Sequence, residues 1–205
     1  MKRTINLFLC LMTVLLMGGK NSSAQAFEEE KSVASLGYGF GTFIGAIANT
    51  FEQEEGYSFS TFGPMYAKYE YGISDNMGVG LNLAYVQYTF QFRYVGDYDS
   101  FGNPIKYTEE DKFSSFSGLL RINWHFGDND KLDPYYGIGV GYRTGTWTTT
   151  SNDPDGTFSE SYETLFPFGF ETTFGVRFLF SDNFGAYLEA GAAKSVIQVG
   201  LCGKF

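Results

Sequence analysis

The sequence predicts an all-β fold, an eight-stranded antiparallel up-and-down barrel that crosses a membrane with its strands. Three observations lead there. Apolar and polar residues alternate with a period of two along stretches of about ten residues. Short turn tripeptides recur at near-constant spacing. The first 26 residues read as an export signal, so the rest of the chain folds outside the cytoplasm.

The alternation is clearest at the end of the chain. Ile197, Val199, Leu201, Gly203 and Phe205 share one face, and Gln198, Gly200, Cys202 and Lys204 share the other. From Phe166 to Phe180 one face is Phe166, Phe168, Phe170, Thr172, Phe174, Val176, Phe178 and Phe180; the opposite one carries Gly169, Glu171, Thr173, Gly175 and Arg177. Phe116, Leu120, Ile122, Trp124 and Phe126 likewise stand opposite Ser117, Leu119, Arg121, Asn123 and His125. Successive side chains of a strand point to opposite faces, so each stretch predicts a strand between two different environments.

Eight such stretches are expected: Ala34–Ala48, Phe62–Ile73, Met77–Tyr94, Phe113–Phe126, Tyr135–Thr149, Leu165–Phe180, Phe184–Ala193 and Val196–Phe205. Their connections alternate in kind. Ser74-Asp75-Asn76, Gly127-Asp128-Asn129 and Ser181-Asp182-Asn183 are short, and Asp and Asn favour tight turns by bonding their own backbone. The aspartates are 53 and 54 residues apart, the repeat of an up-and-down meander with two strands per period. The intervening connections, 49–60, 95–112 and 151–163, are longer and polar, with Lys194-Ser195 a short exception. Short turns on one side and long loops on the other mark membrane barrels, and an even strand count puts both mature ends on the turn side.

The N-terminal signal has Lys2 and Arg3, then an apolar run from Ile5 to Gly19, then Ala24-Gln25-Ala26 with small residues at the −3 and −1 positions of a cleavage site. This divides the chain into a signal peptide, 1–26, and a barrel domain, 27–205. Cleavage takes Lys2, Arg3 and Lys20 with it, leaving 11 basic against 23 acidic residues, a net charge of −12. Nucleic acid is a poor partner for such a chain, since phosphates want Lys and Arg. Cys10 leaves too, so Cys202 stands alone and neither a disulfide nor a cysteine metal site is expected.

The faces separate lipid from lumen. Lys68, Glu70, Arg121, His125, Arg143, Glu171, Arg177, Glu189 and Lys204 all fall opposite the aromatic face, on sides rich in glycine. A soluble barrel would put these charges outside and the apolar face inside. The opposite assignment, with Phe, Leu, Val, Ile and Tyr against lipid, makes Lys68, Glu70, Arg121, Arg143, Glu171, Arg177 and Glu189 a lumen charge network. Tyr69, Tyr71, Phe126, Tyr135, Tyr136, Phe180, Phe184 and Phe205 collect near the turn ends, where a membrane-interface girdle would lie.

The terminal stretch Val196-Ile-Gln-Val-Gly-Leu-Cys-Gly-Lys-Phe205 resembles the last strand of bacterial outer-membrane barrels, which alternates and ends in an aromatic. With eight strands, the mature chain is similar to the small outer-membrane barrels, the porin-like β-barrel domain family that includes OmpX and the barrel of OmpA. The resemblance implies a Gram-negative outer-membrane location, lipid and lipopolysaccharide as surroundings, and Phe205 as the signal read by the outer-membrane assembly machinery. It implies a monomer. No peptidoglycan-binding domain is expected after the barrel, so an OmpA-like tether is not.

Chemistry is thinly represented. His125 is the single histidine. A PagL-type lipid A deacylase would place His and Ser two residues apart at the outer side, whereas Phe126 and Gly127 follow His125 at the turn side. An omptin-like protease would need ten strands. Asp153-Pro154-Asp155-Gly156 resembles a calcium-loop fragment without the remaining ligands, and reads as a turn. Glu52, Glu54, Glu55, Glu109, Glu110 and Asp111 read as a solvated acidic loop face. The expectation is therefore a non-enzymatic envelope protein without cofactor or metal, in a structural, surface-interaction or narrow-permeability role; the alternative is a membrane-embedded lipid-modifying enzyme. Eight strands leave an interior that side chains fill, which argues against an open pore. N-terminal sequencing of the membrane-inserted protein should begin at Phe27 or Gln25, and finding Met1 there would refute the export signal.

Overall fold

The computed structural model describes residues 26–51, 55–126, 129–154, 160–163 and 166–205. The signal peptide up to Gln25, and Gly127 and Asp128 of the middle turn, lie outside them. Ten strands follow in order: β1 (Ser32–Phe40), β2 (Tyr57–Ser74), β3 (Met77–Tyr98), β4 (Pro104–His125), β5 (Leu132–Arg143), β6 (Thr146–Ser151), β7 (Glu160–Glu163), β8 (Phe168–Ser181), β9 (Phe184–Ala192) and β10 (Ile197–Lys204). A short helix, α1 (Phe43–Ala48), and a 3₁₀ turn (Asn49–Phe51) lie between β1 and β2.

Eight strands close a ring in the order β3-β2-β1-β10-β9-β8-β5-β4, with β3 pairing β4 to complete it. All pairings are antiparallel, and the first and last strands meet, with Ser32 N–H donating to Phe205 C=O at 2.8 Å and Phe205 N–H returning the bond at 2.9 Å. β6 is not a separate wall. It continues the register that β5 holds against β4: Ser117 faces Arg143 and Ser114 faces Thr146. The strand expected over Tyr135–Thr149 is thus one path bent at Thr144–Gly145, and β7 pairs β6 as β8 pairs β5.

Several boundaries differ from the sequence reading. The strand expected to reach Ala48 stops at Phe40. Gly41 takes a left-handed φ of +69°, and the Thr42 hydroxyl accepts from Gly45 N–H at 3.0 Å, capping α1. The segment 95–112, read as a loop, is mostly hairpin: β3 and β4 pair as far as Tyr98 and Pro104. The turn itself is held by the Asp99 carboxylate, which accepts from Phe101 N–H and Asn103 N–H, both at 2.8 Å. β2 begins at Tyr57, inside what reads as a loop, and β8 at Phe168 rather than Leu165. Asp75-Asn76 and Asp182-Asn183 are the two-residue turns of β2–β3 and β8–β9.

The faces are inverted relative to a soluble protein. Outside lie Leu81, Leu120, Ile122, Val140, Phe170, Phe174, Phe178, Leu188, Val199 and Leu201, all exposed; inside, Glu70, Asn82, Arg121, Glu171, Arg177 and Glu189 are buried. Room for these long side chains comes from glycine. A Cβ on Gly137 would overlap the Arg121 guanidinium, and one on Gly78 the Glu70 carboxylate. Only a lipid surround suits such an exterior, and only a closed ladder satisfies the backbone there. The molecule is an outer-membrane-type β-barrel.

Above the belt the polarity reverses. β2, β3 and β4 run 18, 22 and 22 residues, against about 10 needed for a tilted crossing. β2 shifts register between Phe62 and Met65, where Gly63 has φ +92° and Pro64 has no N–H to give. Below that bulge Tyr66, Lys68 and Glu70 face inward; above it Tyr57, Phe59 and Thr61 do, paired with Phe92, Phe90 and Tyr88. The inner face becomes aromatic: Phe59, Tyr88, Phe90, Phe113 and Trp147 lie with neighbouring ring centroids 5.1–6.2 Å apart. The outer face becomes Gln87, Thr89, Gln91, Lys112, Glu110, Thr148 and Thr150. This wall of β2, β3, β4, β6 and β7 stands in water.

Phe174→Arg, on the belt face, should lower the unfolding free energy of the barrel in phospholipid vesicles by on the order of 2–4 kcal/mol. Phe174→Leu should cost under about 1.5 kcal/mol. Urea midpoints of the refolded variants measure both, and an unchanged midpoint for the arginine variant would mean that this face looks into water.

Candidate functional site

Among the described residues, the lumen is where the chain gathers charge away from water, and its side chains form stacked clusters. At the turn end, His125 at the close of β4 sits between two carboxylates, with Nδ1 2.7 Å from Asp133 Oδ1 and Nε2 2.9 Å from Glu70 Oε1. Arg177 from β8 bridges the same pair, donating to Asp133 at 3.2 Å and to Glu70. Phe27 lies flat on the imidazole, centroids 3.5 Å apart, and is itself buried. Each ring nitrogen faces a carboxylate oxygen, and an imidazolium, which donates from both nitrogens, would satisfy both contacts. It would also balance four carboxylates, Glu70, Asp133, Glu171 and Glu189, against Lys68, Arg121 and Arg177.

Mid-lumen, Arg121 uses its whole fork. Nε donates to Asn123 at 2.7 Å, Nη1 to Glu171 at 3.2 Å and Glu189 at 3.0 Å, and Nη2 to Thr173 at 2.6 Å. Glu189 also receives Tyr135 OH at 2.7 Å, Thr173 OH at 3.0 Å and an ion pair from Lys68 at 2.8 Å. Glu171 takes Asn82 at 2.6 Å, and Lys68 also donates to Gln198 at 2.7 Å. The Arg177 guanidinium stacks over Tyr135 at 4.7 Å and the Lys68 ammonium over Tyr187 at 4.6 Å. The void left among these groups is about 20 Å³, the size for a single water.

At the outer end, the short β9–β10 connection folds over the opening. Ser195 is buried and shares a 2.8 Å hydrogen bond with Tyr66 OH; Lys194 Nζ reaches across to Ser115 Oγ on β4 at 2.5 Å.

Six of the seven charges expected in the lumen, Lys68, Glu70, Arg121, Glu171, Arg177 and Glu189, lie together in these pairs. Arg143 does not join them. It faces inward at the top of β5, and among the described residues no carboxylate pairs with it. Lys204 instead stands by Glu28, Nζ 3.7 Å from Oε1. Sequence reasoning missed Asp133, because the strand was started at Tyr135. It also left the neutral members Asn82, Thr173 and Gln198 out of the network, although parity assigns them to the same face. Tyr135, read as part of the interface girdle, is instead buried in the lumen on Glu189, because it stands one residue out of phase with the outward-facing Tyr136. His125 has neither nitrogen free to act as a base. Phe205 ends on the outer face, half-exposed.

No family model matches the chain, and no curated protein matches it. Three solved structures are similar in outline. Ail, the attachment invasion locus protein of Yersinia pestis, is 16% identical with a TM-score of 0.43 over 86% of this chain and 99% of its own. The N-terminal barrel domain of Pseudomonas aeruginosa OprF is 16% identical with a TM-score of 0.43, over 86% and 98%. The outer membrane protein OprG of Pseudomonas aeruginosa is 11% identical with a TM-score of 0.45, over 89% and 99%. The barrel reading rests on this chain's own ladder and faces.

Glu189→Gln should destabilise the refolded barrel by about 3–5 kcal/mol, since it leaves buried Lys68 and Arg121 short of an anion. Chemical denaturation in micelles measures this, and a loss below about 1 kcal/mol would mean that water already screens these groups.

Proposed function

We propose that this outer-membrane barrel is a non-conducting, non-enzymatic scaffold that displays a β-wall at the cell surface for interaction. The observation that carries the reading is the length of β2, β3 and β4, about twice a membrane crossing, with polar residues on the outer side of the excess. Sheet of that extent is not needed to seal a bilayer. The mid-lumen beneath supports the same reading: Lys68, Glu70, Arg121, Glu171, Arg177 and Glu189 are paired there around a void of about 20 Å³, so a permeating solute would have to break several charge-assisted bonds at once. Export by the N-terminal signal and insertion through the assembly machinery, with Phe205 as the terminal aromatic, belong to this proposal, as does a monomer in lipid and lipopolysaccharide. The acidic residues of the wall, Glu109, Glu110 and Asp111, disfavour anionic surfaces as partners.

The test is single-channel recording of the refolded barrel in a planar bilayer, with Arg121→Ala beside it. The wild type should give no steps above baseline, and the variant should give small ones, because removing the guanidinium unties two carboxylates in mid-lumen. Steady steps from the wild type would overturn the closed-lumen reading.

A further inference from the structure

The lumen treats its cations unequally. Lys68, Arg121 and Arg177 each touch at least one carboxylate. Arg143 and Lys194, at the outer mouth, touch none among the described residues, in a chain with 23 acidic residues. Neither is simply solvated. Arg143 Nε is buried with no hydrogen-bond partner. Lys194 spends one contact on Ser115, whose hydroxyl already donates to Thr144 C=O at 2.7 Å. Burial, and then the neighbouring Arg143 charge, push the Lys194 ammonium down to about 7. Two basic groups held close and half-buried, one with a buried, unused N–H, form an arrangement that an entering anion stabilises.

We propose that the outer mouth of the lumen binds a tetrahedral oxyanion, a phosphate or sulfate group, between Arg143 and Lys194. Arg143 supplies a planar fork that fits two oxygens of such a group, and Lys194 a movable point charge. The site is closed below, where Ser195 and Tyr66 are bonded over the paired charges of the mid-lumen, so it is a terminus rather than a station on a passage. Its side walls are strands of the ring, which separate it from the lipid face. The anion therefore arrives from the outside medium, free or on a soluble molecule, rather than as a membrane headgroup.

The experiment is isothermal titration calorimetry of the full refolded barrel in micelles with inorganic phosphate, against sodium chloride at equal ionic strength. Saturable binding is expected. Arg143→Gln and Lys194→Gln should each weaken it about tenfold or more, the loss of one charge-assisted contact. Lys112→Gln, on the outer face of the wall, should leave it unchanged. Heat-modifiable gel mobility confirms that each variant is folded, and Arg143→Lys should recover part of the affinity. Phosphate heats no different from chloride, or full affinity in folded Arg143→Gln, would overturn the proposal. A further arm offers phosphatidic acid in phosphatidylcholine vesicles holding the barrel. Binding there, with none to free phosphate, would place the anion site on the lipid face and overturn the assignment to the lumen mouth.

Discussion

Hydrocarbon offers no hydrogen bonds, so every backbone N–H and C=O that enters it must be paired within the chain. For strands, one solution exists, a ladder with no free edge, and here the pairing of β3 with β4 and of β1 with β10 provides it. Everything else follows from that closure. A closed ring has an inside and an outside, and strand parity then assigns each residue to one of them. Eight strands make the inside narrow enough for side chains to fill. Charges placed there have little water, and so must find each other. The glycines at 78 and 137 are a consequence as well, since long charged side chains crossing a narrow ring leave no space for a facing Cβ.

The same parity explains why the chemistry inverts with height. Along β3, Asn82 points into a lumen of ions, while Tyr88 and Phe90, three and four pairs further on, point into an aromatic cluster. Nothing about the strand changes between them except its surroundings. Once the outer face leaves lipid for water, Gln87, Thr89 and Gln91 become the stable choice there, and the inner face becomes the place to bury aromatic area. The bulge at Gly63-Pro64 falls at this crossover and keeps β2 in step with it, turning odd residues inward above and even residues inward below.

How far the sequence could be read depended on whether a residue's pattern was local. The belt strands alternate within themselves, so Phe166–Phe180 and Phe116–Phe126 declare both their type and their faces. The turn residues Asp75-Asn76 and Asp182-Asn183 declare themselves by side-chain chemistry. The wall did not, because polar residues on the watered face of Val95–Tyr98 and Pro104–Lys112 look like a loop to any rule that expects apolar strands. The helix after Phe40 is hidden because Phe43, Ile44, Ala46, Ile47 and Ala48 prolong the apolar stretch of the strand before it, and the cap at Thr42 is what distinguishes it. For the lumen, parity gave membership but not partnership. That Glu189 gathers Lys68, Arg121, Tyr135 and Thr173, while Arg143 gathers no carboxylate among the described residues, depends on height along the barrel, which a one-dimensional pattern does not encode.

A lumen filled with ions is a less obvious choice than one filled with leucine, since buried ion pairs gain little over apolar packing. The sequence constraint on the outer face changes that comparison. A strand apolar on both faces would lose the alternation that sets its register, and a slip by one residue would then cost almost nothing. With Arg121, Glu171, Arg177 and Glu189 on one side and Leu120, Phe170, Phe178 and Leu188 on the other, a one-residue slip of any belt strand puts a charge into lipid and an aromatic into the ion network. The partners of the mid-lumen cluster are drawn from four strands: Lys68 from β2, Arg121 from β4, Glu171 from β8 and Glu189 from β9. Their mutual contacts therefore fix the heights of four strands relative to one another. What the paired charges supply is less stability than uniqueness of register, and a barrel whose register is fixed from within can carry a tall wall on one side and only the short Ala193–Val196 connection on the other.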